Sequence, residues 1–208
     1  MSTEFVEPTK SGAVSRRAVI KSAAWAAPVV AVAVAAPLAS ASAGQARTNA
    51  FVGSNISANR DAGTASGTFA GSGGTITNVV GSWDTGKFTG VLRLRGPWTS
   101  ATLTKADGSA FTLGEIITYQ GTVWTVTDLN ISNDDEEWFV QFESPSRTVT
   151  QDTSVLLPEA IYSGTFVPGA TGPGRPTRSN PISASVAFGA ENVNGGALVG
   201  SSSNFPAG

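Results

Sequence analysis

The chain has 208 residues, a formal net charge of −2, and neither cysteine nor histidine. The absence of both residue types excludes disulfides, Cys–His and Ser–His–Asp nucleophilic sites, and metal binding through thiolate or imidazole. A slightly acidic chain is also a poor candidate for binding nucleic acid or anionic membranes. We predict no bound cofactor and no nucleic-acid partner.

The N-terminal region carries a short basic motif followed by a long apolar run. Ser15–Lys21 reads SRRAVIK, and small or apolar residues occupy positions 23–36. This order is typical of an export signal. It resembles the bacterial twin-arginine (Tat) signal, in which Arg16, Arg17 and Lys21 occupy the charged positions. The resemblance implies a bacterial protein exported in the folded state, with the Tat machinery and signal peptidase as partners.

The end of this segment predicts where the signal is removed. Cleavage after Ala41 or Ala43 is favoured, because a small residue stands two positions earlier, at Ala39 and Ala41 respectively. The apolar run is shorter than the roughly 20 residues that a membrane helix needs, and it contains Pro28. We therefore predict residues 1–43 to be a cleaved signal helix. Retention as an N-terminal anchor is the alternative.

About 165 residues remain after position 43, which is enough for one domain with a buried core. Residues 44–74 are rich in Gly, Ala and Ser, and we predict a leader with short strands at 50–52 and 68–70. Residues 75–208 are predicted to form the main β-domain. A single domain over 44–208 is the alternative.

Alternating apolar and polar residues predict antiparallel strands through the main domain. The predicted strands are 75–80, 88–95, 98–105, 109–113, 116–120, 122–132, 137–143, 155–157, 162–167 and 182–188. Ala106-Asp107-Gly108 predicts a hairpin turn between two of them. Helical spacing of apolar residues does not occur after residue 44. We predict an all-β fold, specifically an immunoglobulin-like antiparallel β-sandwich of roughly eight to ten strands.

The apolar phase slips by one residue within the predicted strand 122–132. Trp124 and Val126 are even-numbered, whereas Leu129 and Ile131 are odd-numbered. A one-residue slip moves side chains to the opposite face of a sheet. We therefore predict a β-bulge, or a strand that changes sheet, near Thr127-Asp128.

The tryptophans divide into core and candidate surface residues. Trp124 and Trp138 share a strand face with apolar neighbours, so we predict them to be in the core. Trp83 and Trp98 lie beside turn residues, and exposed aromatic rings bind sugar rings. They are the candidate glycan contacts.

Charged residues offer weaker candidates. A Ser–Lys site would need Lys87 or Lys105, and neither lies in a nucleophile motif. Glycoside hydrolysis needs two carboxylates, and spacing singles out no pair. The acids considered are Asp84, Asp128, Glu143, Asp152 and Glu159.

Two clusters, one acidic and one basic, each have a structural and a functional interpretation. Asn133–Glu137 could hold calcium through oxygen ligands, but a solvated hairpin tip is the simpler interpretation. Arg93 and Arg95 share the outer face of one strand, where they could meet an acidic wall polymer or another copy's acidic cluster. An ordinary polar sheet face is the simpler interpretation.

These observations predict an exported, non-enzymatic bacterial protein, secreted or at the cell surface, with a structural, adhesion or recognition role. Its partner would be a cell-wall glycan or a surface protein, and we expect no membrane association after signal cleavage. A carbohydrate-binding module is the first alternative. A small extracellular glycan-active enzyme that uses two carboxylates is the second.

Overall fold

Antiparallel β-strands make up the regular structure of the computed structural model, which describes residues 46–130, 137–169, 175–177 and 180–203. The predicted signal and its cleavage region lie outside these residues. The strands are β1 (Arg47–Phe51), β2 (Ser54–Asn59), β3 (Thr64–Phe69), β4 (Gly73–Thr77), β5 (Trp83–Asp84), β6 (Phe88–Arg95), β7 (Trp98–Lys105), β8 (Ile116–Tyr119), β9 (Thr122–Asn130), β10 (Glu137–Ser144), β11 (Thr148–Val149), β12 (Thr153–Leu156), β13 (Ala160–Phe166), β14 (Ile182–Ala190) and β15 (Ala197–Ser203). The prediction of an all-β fold is confirmed for the described part. Within the same residues, no helix has the length and apolar character needed to cross a membrane.

The largest sheet has six strands in the order β15-β14-β6-β10-β9-β8, and all neighbours are antiparallel. Its four inner strands have eight or nine residues each, and β10 alternates strictly between partly buried and buried residues. On β10, Trp138, Val140 and Phe142 are buried, while Phe139 and Gln141 are only partly buried. The predicted core positions of Trp124 and Trp138 are confirmed, because both rings are at most 1% exposed.

The register slip predicted in β9 is a β-bulge. Gln141 pairs with Asp128, whereas the next residue, Phe142, pairs with Val126. Thr127 is therefore the extra residue on β9. The bulge lets Trp124 and Val126 face the core, because it absorbs the one-residue change of phase.

Three smaller antiparallel sheets complete the fold. Their strand orders are β2-β3-β13-β7, β1-β4-β12 and β11-β5. Their buried side chains join those of the six-stranded sheet in one hydrophobic cluster. Two sheets approach closely where β4 meets β14, since a Cβ on Gly74 would collide with the Phe188 ring. The architecture is β-sandwich-like.

The segment 44–74 supplies structural strands to these sheets. It contains β1, β2 and β3 and the start of β4, so the predicted boundary at 74 falls inside a strand. β3 lies between β2 and β13, and β4 lies between β1 and β12. All described residues belong to one compact unit of the chain, Ser40–Gly208.

The structure corrects two features of the strand prediction. The predicted turn at 106–108 is present, and the Lys105 amide donates a hydrogen bond across it to the Ser109 carbonyl at 2.9 Å. However, 109–113 is not a strand, and only an isolated bridge joins Ala110 to Thr104. The described residues also hold fifteen strands rather than eight to ten. The strands β2, β5, β11 and β15 were not predicted, because they are very short or rich in Ser, Gly and Asn.

Candidate functional site

The structure corrects the expectation that Trp98 is an exposed glycan contact. Its side chain is only 6% exposed, and its indole N–H donates to the Arg95 carbonyl at 3.2 Å. The ring lies beneath β13, where a Cβ on Gly164 would come within 2.7 Å of it. Chain reversal after β6 turns Trp98 into the core rather than to solvent.

Trp83 lies on a different sheet and is half-buried. Its indole N–H donates to the Asn192 carbonyl at 3.2 Å. Because Trp83 and Trp98 belong to separate sheets and Trp98 is buried, the two rings do not form a shared aromatic platform.

Arg93 and Arg95 face an acidic residue of their own chain. Arg93 Nε lies 2.5 Å from one carboxylate oxygen of Glu137, and Arg95 Nη2 lies 3.3 Å from the other. Glu137 is the last residue of the acidic cluster, and the rest of the cluster lies outside the described residues. The calcium prediction therefore falls largely outside them as well, and the described residues themselves contain no group of three metal-ligating side chains.

The candidate catalytic acids make local contacts. Glu143 lies 3.7 Å from Lys87 Nζ, and Glu159 accepts the Tyr119 hydroxyl at 2.8 Å. Asp152 accepts a backbone amide from the loop after β4 at 3.1 Å. Each contact ties one strand or loop to another. The contacts described for these three acids are with a lysine, a tyrosine and a backbone amide.

Lys105, the second lysine considered, pairs with a glutamate rather than a serine. Its ammonium lies 2.5 Å from Glu115, whose other carboxylate oxygen accepts the Thr112 amide at 3.1 Å. The pair closes the loop that follows β7.

The outer face of the four-stranded sheet carries a regular array of small polar side chains, which we call the hydroxyl face. Strand register aligns three outward positions from each strand. The residues are Asn55, Ser57 and Asn59 on β2, Thr64, Ser66 and Thr68 on β3, Ile161, Ser163 and Thr165 on β13, and Ser100, Thr102 and Thr104 on β7. All are exposed or half-exposed, and all except Ile161 are hydroxyl or amide residues.

Hydrogen bonds between neighbouring strands orient several of these hydroxyls. Thr165 Oγ1 lies 2.8 Å from Ser100 Oγ and 2.8 Å from Thr99 Oγ1. A register shift at Thr165/Phe166 brings both residues of β7 against Thr165. Thr102 Oγ1 lies 3.1 Å from Ser163 Oγ. The array is therefore partly preorganised, because these side chains already hold defined rotamers.

Beneath the hydroxyl face, Tyr162 ties β13 to β2. Its hydroxyl donates to the Asn55 carbonyl at 2.7 Å and lies 3.2 Å from Ser54 Oγ. The ring packs against Phe69 with centroids 5.2 Å apart. Burial raises the pKa of the Tyr162 phenol. Gly67 on β3 leaves room for the Tyr162 hydroxyl to reach β2, since a Cβ on this glycine would collide with the phenol oxygen.

A groove of about 860 Å³ lies over part of the hydroxyl face. Its lining residues come from all four strands and the turn after β2: Ser57, Ala58, Asn59, Arg60, Thr64, Ala65, Ser66, Ser100, Ala101, Thr102, Ser163, Gly164 and Thr165. Among these described lining residues, none is acidic or aromatic, and Arg60 supplies the one charge. The surface can exchange many hydrogen bonds with a ligand but offers no catalytic pair.

The spacing of hydroxyl residues in the sequence also indicates this surface. Hydroxyl residues recur at every second position in 64–68, 100–104 and 163–165. That spacing places them on one face of each strand. Alternating apolar residues predict only the buried face of each strand, whereas the alternating hydroxyl residues mark the outer face.

No protein-family model, curated protein or solved structure matches this chain.

Proposed function

We propose that this chain is an exported, non-enzymatic recognition protein of the bacterial cell surface or secreted fraction, and that the hydroxyl face is its contact surface. The observation that carries the proposal is the ordered array of exposed hydroxyls over the groove. A surface that only needs to be solvated does not require hydroxyls in register on four strands. The export motif at Arg16 and Arg17 supports an extracellular site of action.

We also propose that the sandwich is immunoglobulin-like. Antiparallel sheets that share one core support this arrangement. The six-stranded sheet would form one layer, and the smaller sheets would form the other.

The two alternative functions are less well supported. A carbohydrate-binding module that uses Trp83 and Trp98 would need both rings at one surface, and Trp98 is buried. A two-carboxylate enzyme would need free acids facing a cleft, whereas Glu143 and Glu159 are engaged in local contacts. The hydroxyl face therefore favours a recognition surface that uses neither these two rings nor a pair of carboxylates.

The export part of the proposal is tested by Arg16→Lys together with Arg17→Lys. We expect the double variant to accumulate inside the cell, because the resemblance to the Tat signal assigns recognition to the arginine pair. Immunoblots of cell and culture fractions measure the distribution. Lys10→Gln is the matched control, since it removes a nearby charge outside the motif. Normal export of the double variant would contradict the proposal.

The recognition part is tested by binding of the purified full chain to envelope fragments of the producing bacterium. Ser66→Ala combined with Ser163→Ala removes two exposed hydroxyls from the groove. Thr118→Ala combined with Thr148→Ala removes two exposed strand hydroxyls elsewhere. We expect saturable sedimentation with the fragments for the original chain and the control, and weaker binding for the groove variant. Equal binding by all three would contradict a role for the hydroxyl face.

A further inference from the structure

We propose that the groove on the hydroxyl face binds an extended, uncharged polysaccharide chain that lies across the four strands. This inference rests on the proposed function, since it names the ligand class of the same surface. Four observations carry it: the shape of the groove, its hydrogen-bonding groups, its charge and its preorganised hydroxyls.

The lining residues set the direction of the ligand. They include outward positions from all four strands, but only two outward positions from each strand. Adjacent strands lie about 4.8 Å apart, so the groove runs roughly 14 Å across the sheet. Along a strand, two outward positions are separated by only about 6.7 Å. The groove is therefore longer across the strands than along them, which suits a linear chain.

The chemistry of the lining matches sugar hydroxyls. Each Ser and Thr hydroxyl can donate one hydrogen bond and accept others. Asn59 offers an amide donor, while its side-chain oxygen already accepts the Ala62 amide at 3.0 Å. A sugar chain presents the same combination along both of its edges. Two rows of such groups, one containing Ser66 and Ser163 and the other containing Thr64 and Thr165, would face the two edges of the chain.

The charge of the lining selects an uncharged polymer. Arg60 is the one charged side chain among the described lining residues, and none of those residues is an aspartate or a glutamate. A polycation would find no counter-charge in the groove. An acidic polysaccharide carries charges at regular intervals, and a single guanidinium at the end of the groove cannot neutralise them. A neutral polysaccharide requires no such pairing.

The missing aromatic lining predicts how affinity depends on ligand length. Sugar rings commonly gain affinity by stacking on aromatic side chains, and no described residue that lines the groove is aromatic. Each hydrogen bond exchanged with water contributes little on its own, about fivefold in affinity. Several sugars must therefore bind at once. The interstrand bonds of Thr165 and Thr102 reduce the ordering cost of this multiple contact.

The test is a titration of the purified full chain with neutral oligosaccharides from glucose to cellohexaose, and with soluble linear glucans and mannans, by calorimetry. We expect no binding of monosaccharides, affinity that rises with length, and little change with added salt. Ser66→Ala with Ser163→Ala should weaken binding of the best polymer about 25-fold, because each lost hydrogen bond weakens it about fivefold. Thr118→Ala with Thr148→Ala should leave it unchanged.

The outcomes separate this inference from the proposed function. The proposal of an uncharged ligand is overturned if none of the neutral polymers binds. It is also overturned if alginate, which is acidic, binds more tightly and in a salt-sensitive way. If envelope binding still depends on Ser66 and Ser163 in that case, the proposed function stands with another ligand. Neutral-polymer binding that the groove variant retains in full also overturns the inference. Circular dichroism of each variant shows whether the fold is intact.

Discussion

The phenol of Tyr162 joins β13 to β2 through hydrogen bonds that pass beneath β3. Tyr162→Phe keeps the ring against Phe69 and removes only the hydroxyl that reaches Asn55 and Ser54. The side chain is 2% exposed, so the Asn55 carbonyl loses a buried donor. Such a loss costs about 1–2 kcal/mol of unfolding free energy. With a urea m-value of about 2 kcal/mol/M, the unfolding midpoint falls by about 0.5–1 M.

The matched control is Tyr119→Phe, which removes the other tyrosine hydroxyl of the chain. Tyr119 is only half-buried, and its hydroxyl donates to Glu159 at 2.8 Å. Because this hydrogen bond is partly open to water, its loss costs about 0.5–1 kcal/mol, at the low end of the range for hydrogen bonds. Urea unfolding followed by tryptophan fluorescence compares the two variants. A midpoint for Tyr162→Phe at or above that of Tyr119→Phe would refute the assigned role of the buried phenol.

The same residue predicts a loss of stability at alkaline pH. Burial raises the pKa of Tyr162 above its ordinary value, so the folded protein keeps a proton that the unfolded chain loses above about pH 10. The contribution is fully present below that pH and is lost as pH rises towards the folded-state pKa. The Tyr162→Phe variant should show a shallower alkaline decline. Burial and the bond to Glu159 also raise the pKa of Tyr119, so part of the decline should remain.

Two further stability predictions compare matched substitutions by urea unfolding. Trp124→Phe should cost about 1 kcal/mol more than Trp138→Phe, because the Trp124 indole donates to a β12 carbonyl at 3.1 Å, whereas the Trp138 indole has no partner among the described residues. Equal costs would contradict this. Gly74→Ala should cost about 2–3 kcal/mol, since its Cβ would collide with the Phe188 ring. Gly189→Ala, where nothing lies within 4 Å, should cost far less; similar losses would show that the contact at Gly74 relaxes.

The predictions that were correct depend on the two-residue repeat of buried side chains along a single strand. On β10, Trp138, Val140 and Phe142 alternate with polar or half-buried residues, and a strand places every second side chain on one face. The bulge at Thr127 was predicted for the same reason, since it is a break in that period. The same interpretation fails at 109–113, because the chain after the hairpin turn gains only one isolated bridge and no partner strand.

Tertiary structure alone decided the surroundings of Trp98 and the role of residues 44–74. A tryptophan beside Gly96-Pro97 can turn outwards or inwards, and its direction depends on β13, which is distant in the chain. The weakly patterned residues 46–74 form strands that pair with one another, as β2 does with β3, and with the later strands β12 and β13. Because these residues have low strand propensity, their extended conformation depends on these partners rather than on the local sequence.

The hydroxyl face also depends partly on local sequence and partly on tertiary structure. The sequence by itself determined that hydroxyl residues alternate within β3, β7 and β13, because alternation is a property of each strand. Only the tertiary structure decided that these strands lie side by side in register, with β2 at one edge. The pairing of β13 with β7 and with β3 joins residues about 60 to 100 positions apart, such as Ser163 with Thr102 and Ser163 with Ser66. A row of hydroxyls across four strands has no local signature, because it exists only after those pairings form.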